Sequence, residues 1–141
     1  MHITFYRAAS LPEKVYAQIK ELYEPKLGII VKDLEAYRQD PDHAAWVTVM
    51  RDVEGKIHAW ALSSTGSPDC GMFQIYVKPE YRRQGIGRRL WHFNQLRFPK
   101  HRFGFFSHDR TSKVFFKKVA KYSTNPSVKT DINGGLQASG F

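Results

Sequence analysis

Between Val77 and Leu90 the chain reads Val-Lys-Pro-Glu-Tyr-Arg-Arg-Gln-Gly-Ile-Gly-Arg-Arg-Leu, a set of residue types suited to holding a phosphate. A β-type apolar run ends at Val77, Pro79 opens a loop, and helical spacing of apolar residues starts at Ile86. The first turn of a helix leaves backbone N–H groups without intrahelical partners, and the helix dipole adds partial positive charge there. Anions bind at such points. Gly85 and Gly87 would let a phosphate reach the backbone without meeting a Cβ atom, and Arg82, Arg83, Arg88 and Arg89 add charge around the same point. Neither G-x-x-x-x-G-K-[ST] nor a full G-x-G-x-x-G is present, so the two commonest nucleotide loops do not fit. A two-glycine loop can also be a plain turn, so the residues alone indicate an anion site without naming its ligand.

The elements around this loop follow from the same patterning. His2 to Arg7 suits a first strand, and Ser10-Leu11-Pro12-Glu13 has the form of a capping box that opens a helix running to about Glu24. Val15, Ile19 and Leu22 give that helix its apolar stripe. A second, shorter helix is expected from Lys32 to Arg38, closed by Asp40-Pro41-Asp42. Ala45 to Met50 and Ile57 to Ser63 read as a hairpin turned by Val53-Glu54-Gly55-Lys56. After a loop from Ser64 to Gly71, Met72 to Val77 is a strand rich in aromatic and β-branched residues. Ile86, Leu90, Phe93 and Leu96 then mark a helix that ends before Pro99. Phe103 to Phe106 is a short strand, Asp109 to about Tyr122 a further helix, and Val128 to Ile132 a last strand followed by Asn133-Gly134-Gly135. The order is mixed α/β with a hairpin at its centre, which predicts a mixed rather than purely parallel sheet.

Composition narrows the class. The 141 residues are 42% apolar and 14% aromatic, enough for one domain with a real core. No stretch approaches the roughly 18 to 20 apolar residues that a membrane span needs, and no secretory signal is visible. Cys70 is the single cysteine, which excludes an internal disulfide and points to the cytoplasm. His92, His101 and His108 have no metal-ligand spacing with a cysteine or carboxylate, and no metal is expected. Trp46 and Trp60 read as core or cross-strand residues. The formal charge of +9 is uneven: residues 1–75 hold 8 Lys and Arg against 10 Asp and Glu, whereas residues 76–121 hold 13 against 2. A segment that basic is a footprint for a polyanion, and a solvated basic face is the plain alternative.

Arg82-Arg83-Gln84-Gly85-Ile86-Gly87 matches the [Q/R]-x-x-G-x-[G/A] signature of the GNAT superfamily of N-acetyltransferases, and the agreement runs from Ile75 to Leu90. The order of elements resembles that family over most of the chain. The resemblance implies one acyl-coenzyme A-binding domain over residues 1–141, with a mixed, mostly antiparallel central sheet, splayed fourth and fifth strands and about four flanking helices. It implies that the strand at 72–77 splays from the one at 102–107. Pantetheine would lie in the gap against the backbone of Ile75, Tyr76 and Val77. The pyrophosphate would sit on amides from Arg83 through Gln84, Gly85, Ile86 and Gly87 to Arg88, in the motif that Arg82 heads. Asp109 falls where the family has an asparagine that contacts the cofactor, Ser112 where it often has alanine, and Phe116 where many members place the tyrosine that protonates the leaving thiolate. Phenylalanine has no proton to give, so that role is vacant or is filled by Tyr122, Tyr76 or water.

The implied activity is transfer of an acetyl or other acyl group from acetyl-coenzyme A to an amine, by direct attack in a ternary complex. The amine must first lose a proton, and the family often uses a glutamate on the fourth strand. The places for it here are Phe73 and Gln74, which leaves Asp69 and His58 as candidates, or an amine that arrives neutral. A backbone N–H near Val77 would stabilise the oxyanion. The acceptor stays open between a small molecule, a protein lysine and a nucleobase, and so does the oligomeric state, a homodimer included. The second reading is a basic module or DNA-modifying enzyme of the same fold, with Lys113, Lys117, Lys118 and Lys121 facing nucleic acid. No membrane partner is expected.

Overall fold

In the computed structural model the described residues are 1–22, 28–65, 71–105, 129–130 and 136–139. Strand β1 (His2–Arg7) leads through a short 3-10 turn at Ala8–Ser10 into helices α1 (Glu13–Glu21) and α2 (Gly28–Arg38). Strands β2 (Ala45–Arg51), β3 (Ile57–Ser64) and β4 (Gly71–Val77) follow, then a 3-10 turn at Pro79–Tyr81 and helix α3 (Ile86–Arg97). The remaining strands are β5 (Arg102–Phe105), β6 (Lys129–Thr130) and β7 (Leu136–Ser139). The sheet order is β1-β2-β3-β4-β5-β7-β6, and β4–β5 is its one parallel pair among the described residues.

The central hairpin forms where the alternation and turn residues place it. Val47 pairs with Leu62 and Val49 with Trp60. Asp52 Oδ1 accepts the backbone N–H of Glu54 and of Lys56, both at 2.9 Å, and Gly55 takes a left-handed φ of 87° that closes the turn. Side chains alternate across the strands and divide the core in two. On one face Val15, Tyr16 and Ile19 of α1 and Leu34 of α2 pack on Val47, Val49, Trp60, Leu62 and Tyr76. On the other, Ile86, Leu90 and Trp91 of α3 pack on Ala59, Ala61, Phe73, Ile75 and Phe103. Trp46 is half-buried and stacks on Phe5 with ring centres 5.0 Å apart.

Three expectations are corrected. Ser10 does not cap α1: Ala8–Ser10 closes its own turn, with the Leu11 amide on the Ala8 carbonyl at 3.2 Å, so the helix begins at Glu13 behind Pro12 without a side-chain cap. Helix α2 starts at Gly28 rather than Lys32. Strand β7 was not foreseen, and it enters between β5 and β6. Leu136-Gln137-Ala138-Ser139 has one large apolar residue and little β propensity of its own, so pairing with β5 makes it a strand. The helix expected at 109–122 lies outside the described residues. No helix among the described residues is long and apolar enough to cross a membrane.

β4 leads straight to the site. Among the described residues it pairs with β5 at Gly71↔Phe103, Met72↔Gly104 and Phe73↔Phe105, where the described part of β5 ends. On its other side β4 stays paired with β3 as far as Ala59↔Val77.

Candidate functional site

The end of β4 runs directly into the glycine-containing loop, and a chain of hydrogen bonds fixes the approach. The Lys78 amide donates to the His58 carbonyl at 2.9 Å, and the Tyr81 amide to the Lys78 carbonyl at 2.9 Å. Arg82 Nε donates to the Val77 carbonyl at 2.8 Å, which ties the loop back to the end of the strand. Gln84 Nε2 donates to the Glu80 carbonyl at 3.2 Å. Arg83 then takes φ 64° and Gly85 φ 78°, so the backbone turns through two left-handed residues before α3. For an arginine that conformation is uncommon and costs free energy, which the surrounding turn must supply.

Helix α3 begins with its first turn uncapped by any side chain. Its first intrahelical bond is from the Arg89 amide to the Gly85 carbonyl at 3.0 Å, so the preceding amides have no intrahelical acceptor. The two glycines serve differently. Gly85 needs its left-handed φ, while a Cβ there would meet nothing within 4 Å. Gly87 is helical with no positive φ, a conformation that any residue adopts, and glycine weakens a helix. What glycine provides at 87 is bare backbone in a turn that no side chain caps, which fits a phosphate. Arg83, Arg88 and Arg89 are exposed around it.

The core holds this turn in place. Leu90 is fully buried, and the Trp91 ring lies 5.1 Å from that of Phe73 and 6.2 Å from that of Phe103. Deeper in the helix, Ser63 Oγ donates to Asn94 Oδ1 at 2.6 Å, a buried bond between β3 and α3. Beneath the loop, His58 Nε2 donates to Asp52 Oδ2 at 2.7 Å, and the His58 ring packs on Tyr81 with centres 3.9 Å apart. Burial pushes the Asp52 carboxyl up, but hydrogen bonds from His58 and from the Lys56 and Glu54 amides outweigh it and hold the group below its ordinary value. His58, a candidate base in the sequence, is thus engaged with Asp52 and supports the loop from below.

Ile75, Tyr76 and Val77 sit at the end of β4, and Arg82, Arg83, Gln84, Gly85, Ile86, Gly87 and Arg88 on the loop and first turn beyond it. Tyr76 is buried on the α1/α2 face, with the Arg82 guanidinium carbon 5.9 Å from its ring centre. Asp69, Asp109, Ser112, Phe116 and Tyr122 lie outside the described residues. One side chain that the sequence did not single out is Asp33 of α2, whose Oδ2 accepts from Gln74 Nε2 at 2.8 Å. The two are 41 positions apart, and within a helix Asp33 reads as one more polar residue of a solvent face.

An uncapped, glycine-bearing helix start at the end of a central strand, in a mixed α/β fold, suits an anionic ligand. The acetyltransferase (GNAT) family profile matches residues 10–94, and the chain belongs to that family of acyl-coenzyme A-dependent enzymes. Among solved structures it resembles Tetrahymena GCN5, at 13% identity and TM-score 0.70, over 100% of this chain and 97% of that one. It also resembles a spermidine N-acetyltransferase SpeG chimera from Vibrio cholerae and hSSAT, at 14% identity and TM-score 0.65, over 99% and 96%. An aminoglycoside 6′-N-acetyltransferase complexed with coenzyme A is similar at 12% identity and TM-score 0.62, over 100% and 98%. At these identities the likeness is one of fold. No curated protein sequence matches the chain.

Proposed function

We propose that residues 1–141 act as one domain that transfers an acetyl group from acetyl-coenzyme A directly to an amine, with donor and acceptor bound together. The observation that carries this reading is Gly87. It is helical without needing to be glycine, in an uncapped turn beyond the end of β4. The amides from Arg83 to Arg88 would take the pyrophosphate, and the exposed arginines would screen its charge. Backbone groups of Ile75, Tyr76 and Val77 would pair with the amides of pantetheine, as a strand would. Arg82 anchors the turn by its bond to the Val77 carbonyl. The donor supplies an activated thioester, and the nitrogen lone pair of the acceptor attacks its carbonyl carbon, displacing the thiolate. An amide near Val77 is the candidate for the developing oxyanion. Asp69 as proton acceptor and Tyr122 as donor to the thiolate keep the standing of candidates.

An amine acceptor is supported by the family and by what two of the similar structures are named for, an aminoglycoside and spermidine. Nucleic acid as acceptor rests on charge alone, and much of that charge lies beyond residue 105. Calorimetric titration of the purified chain with acetyl-coenzyme A tests the reading. Binding in the micromolar range is expected, and its absence at millimolar donor would overturn it. Gly87→Val should abolish that binding while the circular dichroism spectrum stays unchanged.

A further inference from the structure

Gln74 of β4 is a buried side chain that is not fully satisfied. It is 3% exposed, and Nε2 donates to Asp33 Oδ2 at 2.8 Å, yet Oε1 has no hydrogen-bond partner. The assignment of the two amide atoms follows from chemistry. A carboxylate only accepts, so the amide must turn its NH2 toward Asp33 and leave its oxygen over. A buried polar atom without a partner costs free energy and calls for an explanation. Water is one occupant to consider, and an incoming donor group is another.

The surroundings select among donors. Asp33 brings a carboxylate to the same point from α2, where neighbouring Leu34 is fully buried in the core. Tyr16 on α1 steadies this helix by donating to Glu35 Oε1 at 2.7 Å. A carboxylate beside an amide oxygen offers acceptors and negative charge together. An ammonium group has three donors, a positive charge and no acceptor, and is their complement. The pair also lies on the α1/α2 face of the sheet, whereas the phosphate turn belongs to α3 on the other face. An acceptor could reach the end of β4 from the α1/α2 side while the donor's phosphates occupy the α3 turn.

We propose that Asp33 and Gln74 form the seat for the cationic amine of the acceptor. This rests on the acetyl-transfer reading above, but it has its own observable. The probe is 1,6-diaminohexane, with 1,6-hexanediol as its uncharged counterpart, titrated by calorimetry and by the NMR signals of the Gln74 side-chain amide. The diamine should bind and shift those signals, and the diol should not. Asp33→Asn and Gln74→Met should each weaken diamine binding, by about tenfold or more for Asp33→Asn, the size expected for one charge-assisted bond. Asp33→Glu should recover part of the loss, and acetyl-coenzyme A affinity should stay within about twofold in all three variants.

Equal binding of diamine and diol, diamine binding untouched by Asp33→Asn, or no diamine binding by protein that binds acetyl-coenzyme A overturns the proposal and leaves water as the occupant. If Asp33→Asn also loses acetyl-coenzyme A affinity, Gln74→Met decides in the same two ways. A wild-type chain that binds diamine but not acetyl-coenzyme A would instead overturn the acetyl-transfer reading and leave the ammonium seat standing.

Discussion

At Gly85 the backbone stands at φ 78° with open space where a Cβ would be, so Gly85→Ala tests conformation alone. It should cost about 1–2 kcal/mol, the penalty of a left-handed residue with a side chain, read as a fall in the denaturation midpoint. Gly87 should behave in the opposite sense. Gly87→Ala removes a helix-weakening residue and should raise stability by up to about 1 kcal/mol, while acetyl-coenzyme A binding weakens. A variant that gained both stability and affinity would show that 87 faces no ligand. The Asp52–His58 pair makes a prediction in pH. A carboxyl held below its ordinary value contributes stability that is present above the unfolded value of about 4 and is lost as pH falls through the lower folded one. Melting temperature should therefore drop in that acid range, and Asp52→Asn should shrink the drop. At this scale the sequence was informative about glycines and poor about partners. The motif at 82–87 could be read directly because the role proposed for it is carried by backbone, whose chemistry depends on local spacing. The Asp33–Gln74 contact joins residues 41 apart, and no local pattern encodes it.

Elements whose patterning agreed with their burial were legible. β2 and β3 alternate, carry β-branched and aromatic residues, and meet at a turn with Asp52 and Gly55 in the places that turn chemistry requires. Helix α3 was equally clear from Ile86 and Leu90, which pack where their spacing put them. The start of α1 was misread because Ser10 has the right side chain, but the preceding residues close a tighter turn first. Strand β7 is set by its neighbour rather than by its own residues. Position of α3 is where element stability and the site meet. Leu90→Ala, in a fully buried site, should cost about 2–5 kcal/mol by chemical denaturation. If α3 is what presents the phosphate turn, the same variant should weaken acetyl-coenzyme A binding in conditions where it is still folded.

For the whole molecule, the sheet is a partition with α1 and α2 on one side and α3 on the other. Its net charge of +9 should draw an anionic donor, so acetyl-coenzyme A affinity should fall as salt is raised. Duplex DNA separates the two sources of that dependence. A steep salt-dependent DNA affinity that acetyl-coenzyme A leaves unchanged would favour the nucleic-acid reading, and no DNA binding near physiological salt would remove it. The place proposed for pantetheine, against the backbone of Ile75, Tyr76 and Val77, has a consequence for solution behaviour as well. A donor that pairs there as a strand would also cover strand backbone that could otherwise template intermolecular pairing. On that proposal the ligand-free enzyme should scatter light earlier on slow heating than the same enzyme saturated with coenzyme A.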